Sequence, residues 1–149
     1  MPLPGFKMIP DGWSADHAAV LPGSFNAKVK IEAATSTSVW DPATDDTTTT
    51  YAVLWPASGE PTGARVQRLV GDRSLDLAGE SLTGQPYLVE VDAACPVIPR
   101  GSRVTVAEMP NDPSAVGQTL YVIVAPFGSE RFTRSLFCSD VEQDAAVAA

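Results

Sequence analysis

The chain is poor in the residues that carry chemistry. Its 149 residues include one histidine, His17, and two cysteines, Cys95 and Cys138. A Ser-His-Asp set would have to recruit His17, and no Gly-x-Ser-x-Gly elbow is present. There is no Gly-x-x-x-x-Gly-Lys phosphate loop and no Gly-x-Gly-x-x-Gly after a strand-like run. Two cysteines far apart in sequence, outside any Cys-x-x-Cys pair, do not make a zinc site with a lone histidine. They read either as free thiols or as a disulfide. Carboxylate pairs can be drawn from the 18 acidic residues, but no spacing singles one out. The stretch holding Asp41, Asp45 and Asp46 lacks the twelve-residue register and closing Glu of a calcium loop. The expectation is a protein with no catalytic residues, no cofactor and no metal.

Positive charge is also scarce. Ten Lys and Arg stand against 18 Asp and Glu, for a net charge of −8. A strong grip on nucleic-acid phosphates needs many Lys and Arg contacts, so it is not expected of the isolated chain. The acids are scattered, as in an ordinary solvated surface. No run approaches the roughly 20 apolar residues of a membrane span. The start, Met-Pro-Leu-Pro-Gly-Phe-Lys, lacks both the basic beginning and the apolar core of a signal peptide. A protein made and kept in a cytoplasm, without a membrane partner, is the resulting expectation.

Strand-forming residues and turn residues fill the space. Hydrophobic residues make up 44% of the chain, with 13 prolines and 11 glycines, and no window of about 15 residues sustains a helical apolar period. Tyr87–Val91, Arg103–Ala107 and Thr119–Val124 are strand-like runs separated by Pro- and Gly-bearing connections, and a β-meander is their simplest arrangement. Tyr87, Val89 and Val91 share one pleat face, as do Val104 and Val106, and as do Leu120, Val122 and Val124, which makes them the predicted core. Phe25 to Ala33 alternates cleanly. Further strands are expected at 48–56, 64–70 and 130–139, with a turn over 43–47. The predicted fold is all-β, a small antiparallel β-barrel or sandwich of six to eight strands. It divides into an irregular N-terminal arm (1–23), a β-barrel domain (24–140) and a C-terminal tail (141–149).

Two segments stand apart. The arm is broken by four prolines and three glycines yet carries apolar Phe6, Ile9 and Trp13, more than a solvated tail holds. These three are predicted to pack on a neighbouring subunit and only partly on their own barrel. Ser14 to Leu21 fits two turns of helix, with His17 as a surface or capping residue. The 71–84 connection is long for a link between neighbouring strands and alternates Asp72, Arg73, Asp76 and Glu80 with leucines, which marks it as a candidate moving part.

In order along the chain stand Val39-Trp-Asp-Pro-Ala-Thr44, Ala64-Arg-Val-Gln67, Ala78-Gly-Glu-Ser-Leu-Thr83, Pro86-Tyr-Leu-Val-Glu-Val91, Pro99-Arg-Gly-Ser-Arg-Val-Thr-Val106, Val116-Gly-Gln-Thr-Leu120 and Arg134-Ser-Leu-Phe-Cys-Ser-Asp140. This set resembles the head-to-tail connector, or head-closure stopper, proteins of long-tailed double-stranded DNA bacteriophages, especially those of actinobacteria. The resemblance covers roughly residues 39 to 140. It implies a virion protein of the phage neck, assembled in the host cytoplasm as a homo-oligomeric ring, sixfold favoured over twelvefold. The ring would lie between the portal-adaptor complex and the tail terminator or tail tube, retain packaged DNA by passive contact and dock the tail. Asp72, Asp76 and Glu80 would then face the lumen, with Arg73 suited to a DNA phosphate, and the 41–50 hairpin is the competing lumen element. Relatives usually begin with a short helix leading into the first strand, and the Pro- and Gly-rich arm departs from that. Two alternatives of another kind remain: a tail terminator, or a carbohydrate- or cell-wall-binding β-sandwich using Trp13, Trp40 and Trp55 as sugar platforms. An oligonucleotide-binding barrel is disfavoured by the charge.

Overall fold

The computed structural model describes residues 12, 13, 16, 20–69, 84–126 and 132–142. Period-two alternation builds seven antiparallel strands: β1 (Ala27–Asp41), β2 (Asp46–Trp55), β3 (Thr62–Arg68), β4 (Pro86–Asp92), β5 (Arg103–Glu108), β6 (Thr119–Val124) and β7 (Thr133–Ser139). They form one sheet in the order β2-β1-β3-β4-β7-β6-β5. The far strand returns to the start, because Lys28–Glu32 of β1 also pairs with Arg103–Glu108 of β5. Six strands are thereby closed into a barrel, which removes their edges, and β2 is left outside, bonded among the described residues to β1 alone. The protein is all-β, as its strand spacing predicts. Among the described residues no helix is long and apolar enough to cross a membrane.

The inward faces are the ones alternation assigns. Val29, Ile31, Ala64, Val89, Val91, Val104, Leu136 and Cys138 are fully buried, and Val106, Leu120 and Val122 nearly so. Each buried Val or Leu contributes about 1.5–3 kcal/mol relative to exposure, so these side chains supply much of the barrel's driving force. Tyr87 is half-buried and packs against this cluster. Val124 departs from the expectation: the β6–β7 register shifts between Val122 and Val124, so Ile123 is buried and Val124 is not. A bulge re-aims side chains in this way, and the run Val-Ile-Val hides it from a polarity pattern.

Two expectations need correction. The central strands are not a meander, because β4 pairs with β3 and β7 while β5 pairs with β1 and β6. The connection between them folds inward, burying Cys95 and Ile98 in the core, and Arg134 Nε donates to the Cys95 carbonyl at 2.6 Å. The first strand does not stop at Ala33 but runs 15 residues to Asp41. Of the helix expected over 14–21, Asp16 is helical, as is Trp13 just ahead of it, and the Asp16 N–H donates to Gly12 O at 2.9 Å, while at the far end a turn at Val20 leads into a 3-10 turn over Leu21–Ser24. His17 lies outside the described residues.

Replacing Val89 or Val122 by Asp buries an unpaired carboxylate among these valines, at a cost comparable with the roughly 5–15 kcal/mol that holds a whole domain together. Neither variant should show a cooperative melting transition by circular dichroism. A variant melting like the parent would remove that residue from the core.

Candidate functional site

Beyond Glu32, β1 leaves the barrel and continues with β2 as a two-stranded ribbon. In it Ser36 pairs with Tyr51, Thr37 with Thr50, Ser38 with Thr49, Val39 with Thr48, Trp40 with Thr47 and Asp41 with Asp46. Every residue from 34 to 50 is exposed, so neither face of the ribbon is covered. Val39 and Trp40, on opposite faces, are 63% and 60% exposed. β-branched residues suit such a strand even without burial, and Ser38 Oγ lies 3.1 Å from Thr49 Oγ1 across the pair. The tip is built by aspartates. Asp41 Oδ1 accepts from the Ala43 N–H at 2.9 Å, Asp46 Oδ1 accepts from the Thr47 N–H at 2.8 Å, and Asp45 takes a left-handed φ of 54°. Aspartate tolerates that region and forms such turns, which explains three acids within six residues without any ligand. Among the described residues no group of three or more His, Cys, Asp or Glu is placed to hold a metal ion.

The root of the ribbon is irregular and clamped. Register shifts fall between Ile31 and Glu32 and between Glu32 and Ser36, so the strand bends where it exits. Arg103, opposite Glu32 on one side and Tyr121 on the other, lays its guanidinium 4.2 Å from the Tyr51 ring centroid and 5.6 Å from that of Tyr121. Its Nε is buried without a hydrogen-bond partner, while Glu32 is taken by Lys30 at 2.9 Å. Arg103 therefore holds the ribbon through ring faces, a contact worth about 0.5–2 kcal/mol. Nothing in the spacing of the sequence pairs Tyr51 with Arg103. The signal is nonlocal and comes from the β1–β5 closure.

The other candidates distribute as follows. Asp72, Arg73, Asp76 and Glu80 lie outside the described residues. Both ends of their connection are fixed: Arg68 Nη2 donates to Gln85 Oε1 at 2.9 Å, Gln85 Nε2 donates to Leu69 O at 2.8 Å, and Gln85 N–H donates to Asp140 Oδ1 at 2.7 Å. Gly84 closes the connection at φ +93°, where a Cβ would lie 2.5 Å from Asp140 Oδ1, so only glycine fits. Phe6 and Ile9 are also outside the described residues. Trp13 is half-buried, its ring edge-on to Phe132 of its own chain at 5.2 Å. A platform of three exposed tryptophans is not formed, since Trp55 packs against the core and of the three only Trp40 is exposed. An open hollow of about 310 Å³ lies beside Phe25, Lys28 and Glu108, where the one cation is spent on the one anion at 2.9 Å. The two cysteines are free and buried.

Fold and site together define a small closed β-barrel that carries an uncovered, acid-tipped ribbon. The chain belongs to the family of unknown function DUF6093, which it matches over residues 17–139. No curated protein and no solved structure matches it.

Two outcomes follow from this geometry. Tyr51→Ala removes one face of the Arg103 stack, so hydrogen exchange should accelerate several-fold across 36–50 with the barrel strands unchanged; uniform protection would show that the stack does not hold the ribbon. Burial pushes the Cys138 thiol up, and burial pushes Cys95 up to about 11 although Arg134 pulls it down. Because the folded values exceed the unfolded ones, the stability they contribute is complete at neutral pH and is lost as pH rises from about 9 toward 11. Iodoacetamide should therefore label the native protein slowly at pH 8 and the urea-unfolded protein quickly, and fast native labelling would contradict it.

Proposed function

We propose that this chain is a structural virion protein of the neck of a long-tailed double-stranded DNA bacteriophage. Its copies form a ring, sixfold in preference to twelvefold, that closes the DNA-filled head, contacts the portal-adaptor complex on one side and docks the tail terminator or tail tube on the other. The observation that carries this reading is the ribbon: a closed barrel needs no such projection to fold, and two bare faces over residues 34–50 are of use only against other molecules. The segments that carry the resemblance support it in position as well as order. Val39–Thr44 lies at the ribbon tip, Ala64–Gln67 in β3, Pro86–Val91 in β4, and Arg134–Asp140 along β7. An acidic chain, net −8, also suits a channel through which DNA must slide without sticking. A non-enzymatic role fits a sequence with a single histidine and no Gly-x-Ser-x-Gly elbow.

The segment that closes the channel is assigned to the 71–84 connection, with Asp72, Asp76 and Glu80 facing the lumen and Arg73 toward DNA; the acid-tipped ribbon is the alternative. The arm, through Phe6 and Ile9, reaches a neighbouring subunit, and Trp13 anchors its base on Phe132.

Antibody raised against the purified chain should label phage particles at the head–tail junction in electron micrographs, and particles made without the chain should be DNA-filled heads that leak and carry no tails. Shortening 72–82 to a four-residue turn should give particles that join tails yet lose DNA beforehand. Label elsewhere on the particle would overturn the reading, and retention lost on trimming 43–48 instead would pass the closing role to the ribbon.

A further inference from the structure

The free edge of β2 is unusually unprotected. In the sheet order β2 is terminal, so among the described residues one whole side of Asp46–Trp55 presents unpaired N–H and C=O groups. Natural edges are blunted by Lys, Pro, bulges or shortness. Here ten residues, Asp-Thr-Thr-Thr-Thr-Tyr-Ala-Val-Leu-Trp, contain no Lys, Arg, Pro or Gly, and the register is regular from Asp46 to Tyr51. The opposite edge of the ribbon is the poorer one: β1 is irregular between Glu32 and Ser36, and the Gly101 turn stands beside Ala34. A two-stranded ribbon is itself only marginally stable in water, so a third and fourth strand have much to add.

We infer that β2 pairs antiparallel with β2 of a second copy of this chain, across a twofold axis at Thr50. The register selects both the partner and the centre. Trp40 shares a row and a face with Thr47, while Val53 lies on that same face, level with Glu32 at the root. Within one ribbon these two exposed side chains, 60% and 42% exposed, are too far apart to cover each other. An antiparallel copy centred on Thr50 sets Val53 of the second copy opposite Thr47, in the row of Trp40, and the twofold repeats the match. Tyr51 then meets Thr49 of the other copy, on the same face as Trp40. Asp46, the only charge on the strand, falls opposite Leu54 and at the far end from its own counterpart, so like charges do not meet. A parallel in-register pairing would set Asp46 against Asp46. Because the contact is isologous it closes at two copies and does not propagate into fibres. The inference does not rest on the neck reading, since it needs only the ribbon. For a ring subunit it describes the form stored before assembly.

Sedimentation of the purified full-length chain should show a monomer–dimer equilibrium. Thr50→Cys should give a disulfide-linked dimer on mild oxidation, because its two copies face each other across the axis. Thr37→Cys, in the same row but one strand further out on each side, would place the thiols three strand spacings apart, roughly 14 Å, and should not cross-link. The native Cys95 and Cys138 are buried and do not compete. Thr50→Lys, which sets two ammonium groups face to face, should sediment as a monomer while melting like the parent. A monomeric wild type, equal cross-linking of both cysteine variants, or a dimer undisturbed by Thr50→Lys would each overturn the inference. If Thr50→Lys fails to fold, the two cysteine variants decide the matter alone. A Thr50→Cys chain that forms no link as the free protein, yet still assembles into rings, would overturn the pairing and leave the neck reading standing.

Discussion

The hydrogen bonding of β1 on both of its edges is the constraint on which the rest depends. Over Lys28 and Val29 it is bonded to β3 on one edge and β5 on the other; from Ile31 onward the first edge passes to β2. A strand used this way closes the barrel at its first half and cannot end there, because its second half is already committed to β2. The closure is also the most nonlocal strand pairing among the described residues, joining residues near 30 to residues near 105. Its loop-closure entropy is offset only once the inward valines are buried together, so the barrel and its core form as one unit. Only Leu54 and Trp55 at its root pack against that core; residues 34–50 of the ribbon add nothing to it, and their independence from the barrel's stability follows from the same division of β1.

The half-buried strands were legible because each has one apolar and one polar face. Val29, Ile31, Val89, Val91, Val104 and Val106 all lie where alternation put them. The continuation of β1 was not, since Ala-Thr-Ser-Thr-Ser-Val-Trp is exposed on both sides and gives no polarity contrast to read. Strand order was also illegible. The Pro-rich connection after β4 looked like a hairpin loop, but Cys95 and Ile98 draw it into the core and the chain crosses to pair with β1. Sequence distance favours neighbouring strands as partners, and only the long-range burial of two side chains overrode that preference.

The candidate site shows the same split. The turn chemistry of Asp41, Asp45 and Asp46 was readable as a hairpin tip, because aspartate forms these turns for local reasons. The clamp at the root was not, because Tyr51, Arg103 and Tyr121 come together only through the β1–β5 and β5–β6 registers. Of the three tryptophans, composition alone could not separate the one that is exposed from the one that packs on the core.

The acidity of the ribbon and its lack of lysine bear on each other. Most exposed edges are protected by cations, and between Ala33 and Ala64 this chain has none, its only charges being Asp41, Asp45, Asp46 and Glu60. Three carboxylates gathered at the tip repel a like tip brought alongside, yet they leave Thr47 to Val53 uncharged. The ribbon is thereby protected against stacking in parallel and left open to a strand arriving from the opposite direction. Like charge at the end of an edge thus filters orientation where a lysine in its middle would block pairing altogether. That filter costs the barrel nothing, because every residue in it is already in solvent.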